Sequence, residues 1–336
     1  MIEDRHITLA HGNGGRRMRE LIEDVFARHL ANPSLDVRLD AAPVALASDM
    51  VPLITTDAFT VKPLEFPGGD IGSLAVNGTV NDLAVSGAMP RFLTLNAIIE
   101  EGLAVERLDR IVGSLAAAAN AAGVRVVAGD TKVVPRGEGG GLYLVTTGLG
   151  LRAAKCKLGI DSIREGDVLV ASGPVGDHGI AVLLAREDFE LSGEVVSDCA
   201  AVTPFTAPLA LMGGVRFMRD PTRGGLATVA HEIARATSLN VRLREADVPV
   251  RDPVRSVCKM LGYDPYYLAC EGRVVAVAAP EVAGDILALW QSLPAGEGAC
   301  AIGTMRDGRG RVILETEIGG ERFLEELEDD PLPRIC

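Results

Sequence analysis

Three aspartates, a lysine, a glutamate, a histidine and a cysteine carry most of the chemistry this sequence could perform. Asp57 closes Thr55-Thr56-Asp57, Asp82 closes Val80-Asn81-Asp82, and Asp130 sits in Gly129-Asp130-Thr131. Carboxylate oxygens from separate segments suit a magnesium ion that also takes phosphate oxygens and waters. Each aspartate alone reads more readily as a helix or turn cap, and spacing does not bring the three together. Lys132 directly follows Asp130 and Thr131, where a cation could neutralise charge on a phosphoryl group, although a solvated surface lysine is the commoner case. Glu271 follows an apolar aromatic run in Ala269-Cys270-Glu271-Gly272, which suits a partly buried general base or an edge carboxylate at a turn. His178, in a glycine-rich stretch, could move protons or cap a helix. Cys336 is the last residue, on an arm whose prolines break helices and whose five acids between Glu325 and Asp330 favour solvation.

Glycine-rich stretches at His11 to Gly15, Pro67 to Gly72 and Ser172 to Gly179 each precede a helical pattern. Their amides, at Gly14, Gly15 and Gly69 among others, could cradle phosphates at a positive helix end. None is a P-loop, and each alone reads as a plain turn.

The elements that must position these residues follow from hydrophobic period. Val44 to Ala47 and Val51 to Thr56 read as strands, Ile71 to Ser86 as a small-residue helix ending near Asp82, and Val105 to Ala122 as a second helix. Val124 to Ala128 reads as a buried strand running into an acidic turn at Asp130. A restart near Gly148 to Asp167 marks a domain boundary. Beyond it come a strand at Val168 to Ser172, helices at Gly179 to Ala185, Thr222 to Thr237 and Val282 to Leu293, and strands near Val241, Val274, Ile302 and Val312. The expected organisation is α/β (α+β) layering. It comprises an N-terminal glycine-loop segment over 1–40, one domain over 41–153, a second over 154–318, and a flexible tail over 319–336.

Composition sets the outer bounds. At 336 residues and 48% hydrophobic, the chain can bury a core large enough for two domains. A net charge of −13 with no basic run argues against a nucleic-acid partner, yet allows a nucleotide, whose local field a lysine and a magnesium ion can set. The 38 glycines and 4% aromatics suggest close backbone approaches. Six scattered cysteines without a CxxC pair indicate neither a zinc site nor a disulfide framework. The first residues lack a basic and apolar leader, and no apolar run has the roughly 18 residues of a membrane span, so a cytoplasmic protein with no membrane partner is expected.

Several stretches together resemble the HypE family of hydrogenase maturation proteins: Phe66 to Pro90, Val127 to Val134, Ser172 to Gly179, Met218 to Thr228, and the ending Pro333-Arg334-Ile335-Cys336. The aspartate and glycine segments are shared with the wider superfamily of aminoimidazole ribonucleotide synthetase, selenophosphate synthetase and thiamine phosphate kinase; the Pro-Arg-Ile-Cys ending selects HypE within it. The resemblance implies a two-domain synthetase-like fold, with an N-terminal sheet forming a dimeric β-barrel interface and a C-terminal α/β domain completing an ATP cleft. It implies ATP-dependent dehydration of a carbamoyl group on Cys336 to a thiocyanate. A HypF-type carbamoyltransferase would load the group, and the HypC–HypD complex would take the nitrile as a cyanide ligand for [NiFe]-hydrogenase iron. On this reading Asp57, Asp82 and Asp130 hold Mg²⁺, Asn77 and Thr131 join the nucleotide site, Lys132 neutralises charge, and Glu271 is the base with help from His178. The family usually has asparagine where this chain has Cys270. Rival readings are another ATP-dependent superfamily member, in which Cys336 would be dispensable, and a carrier that does not hydrolyse ATP.

Overall fold

The structure is a computed structural model that describes residues 5–8, 11, 20–33, 50–186 and 194–327. Gly14, Gly15, the strand expected at Val44 to Ala47, and Cys336 lie outside them.

In the N-terminal half, β1 (Met50–Phe59), β4 (Ala88–Glu100), β5 (Arg125–Val134) and β6 (Leu142–Ala153) form one sheet in the order β1-β6-β4-β5. β4 and β5 run parallel, and the other pairs are antiparallel. A two-stranded ribbon of β2 (Glu65–Phe66) and β3 (Gly69–Asp70) leads into helix α1 (Ile71–Val85). Asp70 caps α1 by accepting from Ser73 N at 2.9 Å, while its own N–H donates to Ser73 Oγ at 3.0 Å, which closes a capping box. Helix α2 (Val105–Ala121) packs on α1. Small residues permit this closeness: a Cβ on Gly72 would stand 2.4 Å from the Ile111 carbonyl oxygen of α2, and one on Gly78 would strike the Phe59 ring at 2.8 Å. Nearly every residue of α1 is buried as a result.

One face of the four-stranded sheet meets these helices. The other carries Met89 and Ile54, the latter 73% exposed. Among the described residues the sheet is open, and the barrel implied by the resemblance would need a second copy to close it.

In the C-terminal half seven strands follow the order β13-β12-β9-β11-β7-β10-β8. They are β7 (Val168–Ala171), β8 (Val215–Arg219), β9 (Asn240–Arg244), β10 (Val275–Ala278), β11 (Cys300–Arg306), β12 (Val312–Glu315) and β13 (Glu321–Phe323). The helices are α3 (Asp177–Ala185), the short α4 (Thr203–Thr206), α5 (Gly225–Thr237), α6 (Asp252–Leu261) and α7 (Pro280–Gln291). No helix among the described residues is long and apolar enough to cross a membrane.

Three expectations change. Gly129, Asp130 and Thr131 are not a turn: β5 continues through them because Leu95 and Asn96 of β4 keep the parallel ladder going. His178 lies in the first turn of α3 rather than in a glycine loop. The stretch from 319 is not a free arm throughout, since Glu321–Phe323 pairs with Ile313–Glu315 and Leu324 is buried.

The halves are joined through α1. Buried Asn81 donates from Nδ2 to the carbonyl oxygens of Ala200, at 3.0 Å, and Glu271, at 3.1 Å, and its Oδ1 accepts from Val202 N at 2.8 Å. Truncating this amide strands the buried backbone groups it serves. Asn81→Ala is therefore expected to lower unfolding free energy by about 2–3 kcal/mol, read from urea titration of the intact chain.

Candidate active site

Four carboxylates from four segments converge where the halves meet. Asp57 comes from β1, Asp82 from the last turn of α1, Asp220 from the turn after β8, and Glu271 from the loop before β10. Together with Arg219 and Arg223 they line a cavity of about 240 Å³. Asp82 is oriented by Thr55, whose Oγ1 donates to its Oδ2 at 2.8 Å. Glu271 is fixed at both backbone ends: its N–H donates to Asp198 Oδ1 at 3.1 Å, and its carbonyl accepts from Asn81.

Concentrating carboxylates in a partly dry pocket disfavours their charged forms. Burial, then the neighbouring Asp82, pushes the Asp57 carboxyl up to about 6. Burial, with Asp82 and Asp57 nearby, pushes Asp220 up to about 7. Glu271, 3% exposed, is raised well above the usual carboxylate range by burial and then by Asp220, Asp198 and Asp57, with Arg223 opposing. The pocket therefore has an excess of negative charge that a cation would relieve.

The other expected site residues are elsewhere. Asp57 pairs with Thr146, whereas Asp130 pairs with Asn96, and Asn96 with Val145. Alternation along the strands puts Asp130 and Lys132 on the open face of the sheet, three strand spacings or roughly 14 Å from β1. Thr131 is buried and its N–H donates to Asp130 Oδ1 at 2.9 Å. Among the described residues no three carboxylate, imidazole or thiol groups are arranged to hold a metal unaided. Gly69 stands at the opposite end of α1, roughly 18 Å from Asp82 along the axis. Asn77 faces the C-terminal half, donating from Nδ2 to Cys199 Sγ at 3.5 Å. His178 is fully buried, with Nδ1 2.8 Å from Ser197 Oγ and its ring edge-on to Phe66, so it braces the segment behind the pocket. Asp220 was not singled out from sequence, although it stands in Met218-Arg219-Asp220-Pro221-Thr222-Arg223, an acid between two arginines ahead of a glycine pair.

Residues 38–152 match the AIR synthase related protein N-terminal domain, and 164–315 its C-terminal domain. The chain is 44% identical to the carbamoyl dehydratase HypE of Azotobacter vinelandii over 332 residues, 98% of this chain and 97% of that one. The chain belongs to the HypE carbamoyl dehydratase family. Hydrogenase maturation protein HypE in complex with ATP superposes with a TM-score of 0.93 at 43% identity, covering 98% of this chain and 99% of that one. HypE from a HypE–HypF complex superposes with a TM-score of 0.80 at 41% identity, covering 91% and 99%.

Cys270, where the resemblance implies an asparagine, does not line the pocket. Cys270 is fully buried, and its Sγ accepts from the N–H of Gly176, the N-cap of α3, at 3.2 Å. Burial pushes its thiol well up, and its sulfur serves the N-cap of α3 and not the carboxylate pocket. Behind Glu271, Asp177 and Asp198 flank buried Arg273, at 3.8 Å and 3.4 Å, and Arg251 reaches Asp177 at 3.2 Å.

Burial is the main cause that pushes Asp177 from its ordinary 3.8 up to about 6. Its favourable contribution is therefore complete below pH 3.8 and is lost as pH rises through about 6. Thermal unfolding between pH 4 and 7 should show wild type losing stability relative to Asp177→Asn across that window, with a constant offset above it.

Proposed function

We propose that the chain converts a carbamoyl group carried on Cys336 into a thiocyanate, with ATP hydrolysed to ADP and phosphate, and so supplies the cyanide ligand of the [NiFe]-hydrogenase iron. The observation that carries this reading is the pairing of full-length HypE family membership with a pocket in which a buried carboxyl, Glu271, faces Asp57 and Asp82. A carbamoyl oxygen is a poor leaving group. Transfer of the ATP γ-phosphoryl group to that oxygen makes it a phosphate ester; removal of both nitrogen protons and loss of phosphate then leave the nitrile on sulfur.

Asp57 and Asp82 fit a magnesium ion. They stand side by side, their mutual repulsion raises Asp57, and two carboxylates are what magnesium takes when phosphates and water complete its shell. The ion would supply charge stabilisation to the phosphoryl group. Glu271, held in place by Asn81 and Asp198, accepts one nitrogen proton, and the departing phosphate takes the other. Arg223 at the rim offsets negative charge, and Asp220 adds a carboxylate that the assignment from sequence lacked. Asn77 and Gly69 belong to the same reading as nucleotide contacts along α1.

Asp130, Thr131 and Lys132 enter through a second copy. They lie on or beside the open sheet face, which a homodimer would cover, and Lys132 then serves a pocket whose carboxylates come from its mate. A HypF-type carbamoyltransferase loads Cys336, the HypC–HypD complex receives the product, and the reaction runs in the cytoplasm.

Two experiments test the reading. Glu271→Gln keeps size but cannot take a proton, so carbamoylated Cys336 should accumulate in the presence of ATP, with its dehydration slowed at least a hundredfold. The mass of the C-terminal peptide reports it, and thiocyanate formed at the wild-type rate would remove Glu271 from the mechanism. For the shared site, Asp82→Asn and Lys132→Ala chains should each be inactive alone, but an equal mixture should regain about a quarter of wild-type turnover, because one of two pockets is then intact in half the dimers. No recovery on mixing would assign both residues to one chain's pocket.

A further inference from the structure

Glu271 owes its place to its backbone, and one end of that hold is a single carboxylate. Its carbonyl oxygen accepts from Asn81 Nδ2 and from Ala200 N, at 3.1 and 3.3 Å. Its N–H donates to Asp198 Oδ1 at 3.1 Å. Further on, Val274 exchanges hydrogen bonds with Ser172, both at 2.9 Å, which pins the chain beyond Glu271 to the end of β7. Gly272 lets the Glu271 loop and the Asp198 segment touch: a Cβ there would stand 1.8 Å from the Asp198 carbonyl oxygen.

The Asp198 side chain is 1% exposed, yet it lines a second cavity, of about 790 Å³, that shares no lining residue with the carboxylate pocket. A buried carboxylate held by one amide alone would gain by turning toward water in such a cavity. Arg273, 7% exposed, opposes that turn. Its Nε stands 3.4 Å from Asp198 Oδ2, while its Nη1 donates to the Ala295 carbonyl oxygen at 2.8 Å. Neither Nε nor Oδ2 has a hydrogen-bond partner, so the attraction between them is one of charge, and burial keeps water from screening it. Gly173 makes room for the guanidinium: a Cβ there would meet Nη1 at 2.6 Å. Asp177 competes weakly, because Arg251 approaches it to 3.2 Å and Arg273 only to 3.8 Å. Arg251 thus serves Asp177, and Arg273 is left to Asp198.

Taking one member from a buried pair leaves the other uncompensated. Without the guanidinium, Asp198 is free to turn into the cavity, and the Glu271 amide loses its acceptor.

We infer that Arg273 is a positioning residue for Glu271 and acts through Asp198, whose carboxylate it holds on the Glu271 amide. This deepens the dehydratase reading and rests on Glu271 being the base. In the full chain, Arg273→Ala should speed hydrogen exchange at the Glu271 amide at least tenfold and slow single-turnover dehydration at least tenfold, with ATP affinity unchanged within twofold. Guanidinium ion below its denaturing range can enter the vacated space through the cavity. It should restore the protection and raise the rate at least threefold, whereas potassium chloride at equal ionic strength should do neither. Arg273→Met, which keeps an apolar stem in the same space, should show the same faster exchange if the alanine chain does not fold. In a Glu271→Gln chain, adding Arg273→Ala should slow dehydration no further, because the group being positioned is already gone. Wild-type protection of the Glu271 amide, a loss that guanidinium does not repair, or losses that add in the double variant would each overturn the assignment. Wild-type dehydration by the Glu271→Gln chain alone would instead remove Glu271 as the base, an outcome that leaves the exchange rates as they are.

Discussion

The side chain of Asn81 is the interaction on which the site depends. Its three bonds tie α1 to Ala200, Val202 and Glu271, so the helix that carries Asp82 also fixes the backbone of Glu271. Asp82 is the next residue in sequence. The distance between the acidic pair and Glu271 is thus set by one buried amide rather than by loose contact of two bodies. An amide suits this place because it donates twice and accepts once without adding charge to a pocket that already holds four carboxylates.

Close packing supplies the force that holds those carboxylates together against their repulsion. Gly78 lets α1 lie against Phe59 of β1, which brings Asp82 up to Asp57. Gly72 lets α2 press on the same helix from the far side. Side chains at either position would push the helix outward. The glycine-rich, aromatic-poor composition is therefore the cost of seating one helix among strands and a second helix at backbone distance.

The layered α/β architecture and most elements could be read from hydrophobic period, because α1, α2 and the buried strands of the C-terminal sheet repeat their apolar residues at regular spacing. Ala88–Glu100 was harder: Pro90, Thr94 and Asn96 interrupt its pattern, and its place in the sheet comes from two neighbours distant in sequence. Gly129-Asp130-Thr131 has turn chemistry, yet pairing with β4 extends the strand through it. Asp57, Asp82 and Glu271 were recognisable as candidates. Asp220 was overlooked because convergence of segments separated by more than a hundred residues leaves no local signal. The misplacement of His178 has the same origin: its partners Phe66 and Ser197 arrive from other parts of the chain.

The raised Glu271 carboxyl has a bearing on waste. Burial first, and then the neighbouring Asp220, Asp198 and Asp57, hold it well above the usual carboxylate range and so favour the form that carries a proton. A positive charge brought in beside Asp57 would weaken the repulsive part of that effect and leave the part due to burial. On the proposed reading, a cation held by Asp57 and Asp82 would therefore make Glu271 readier to accept a proton. On that reading a carbamoylated thiol arriving before the cation would meet an acid in place of a base, and the modification would outlast the visit.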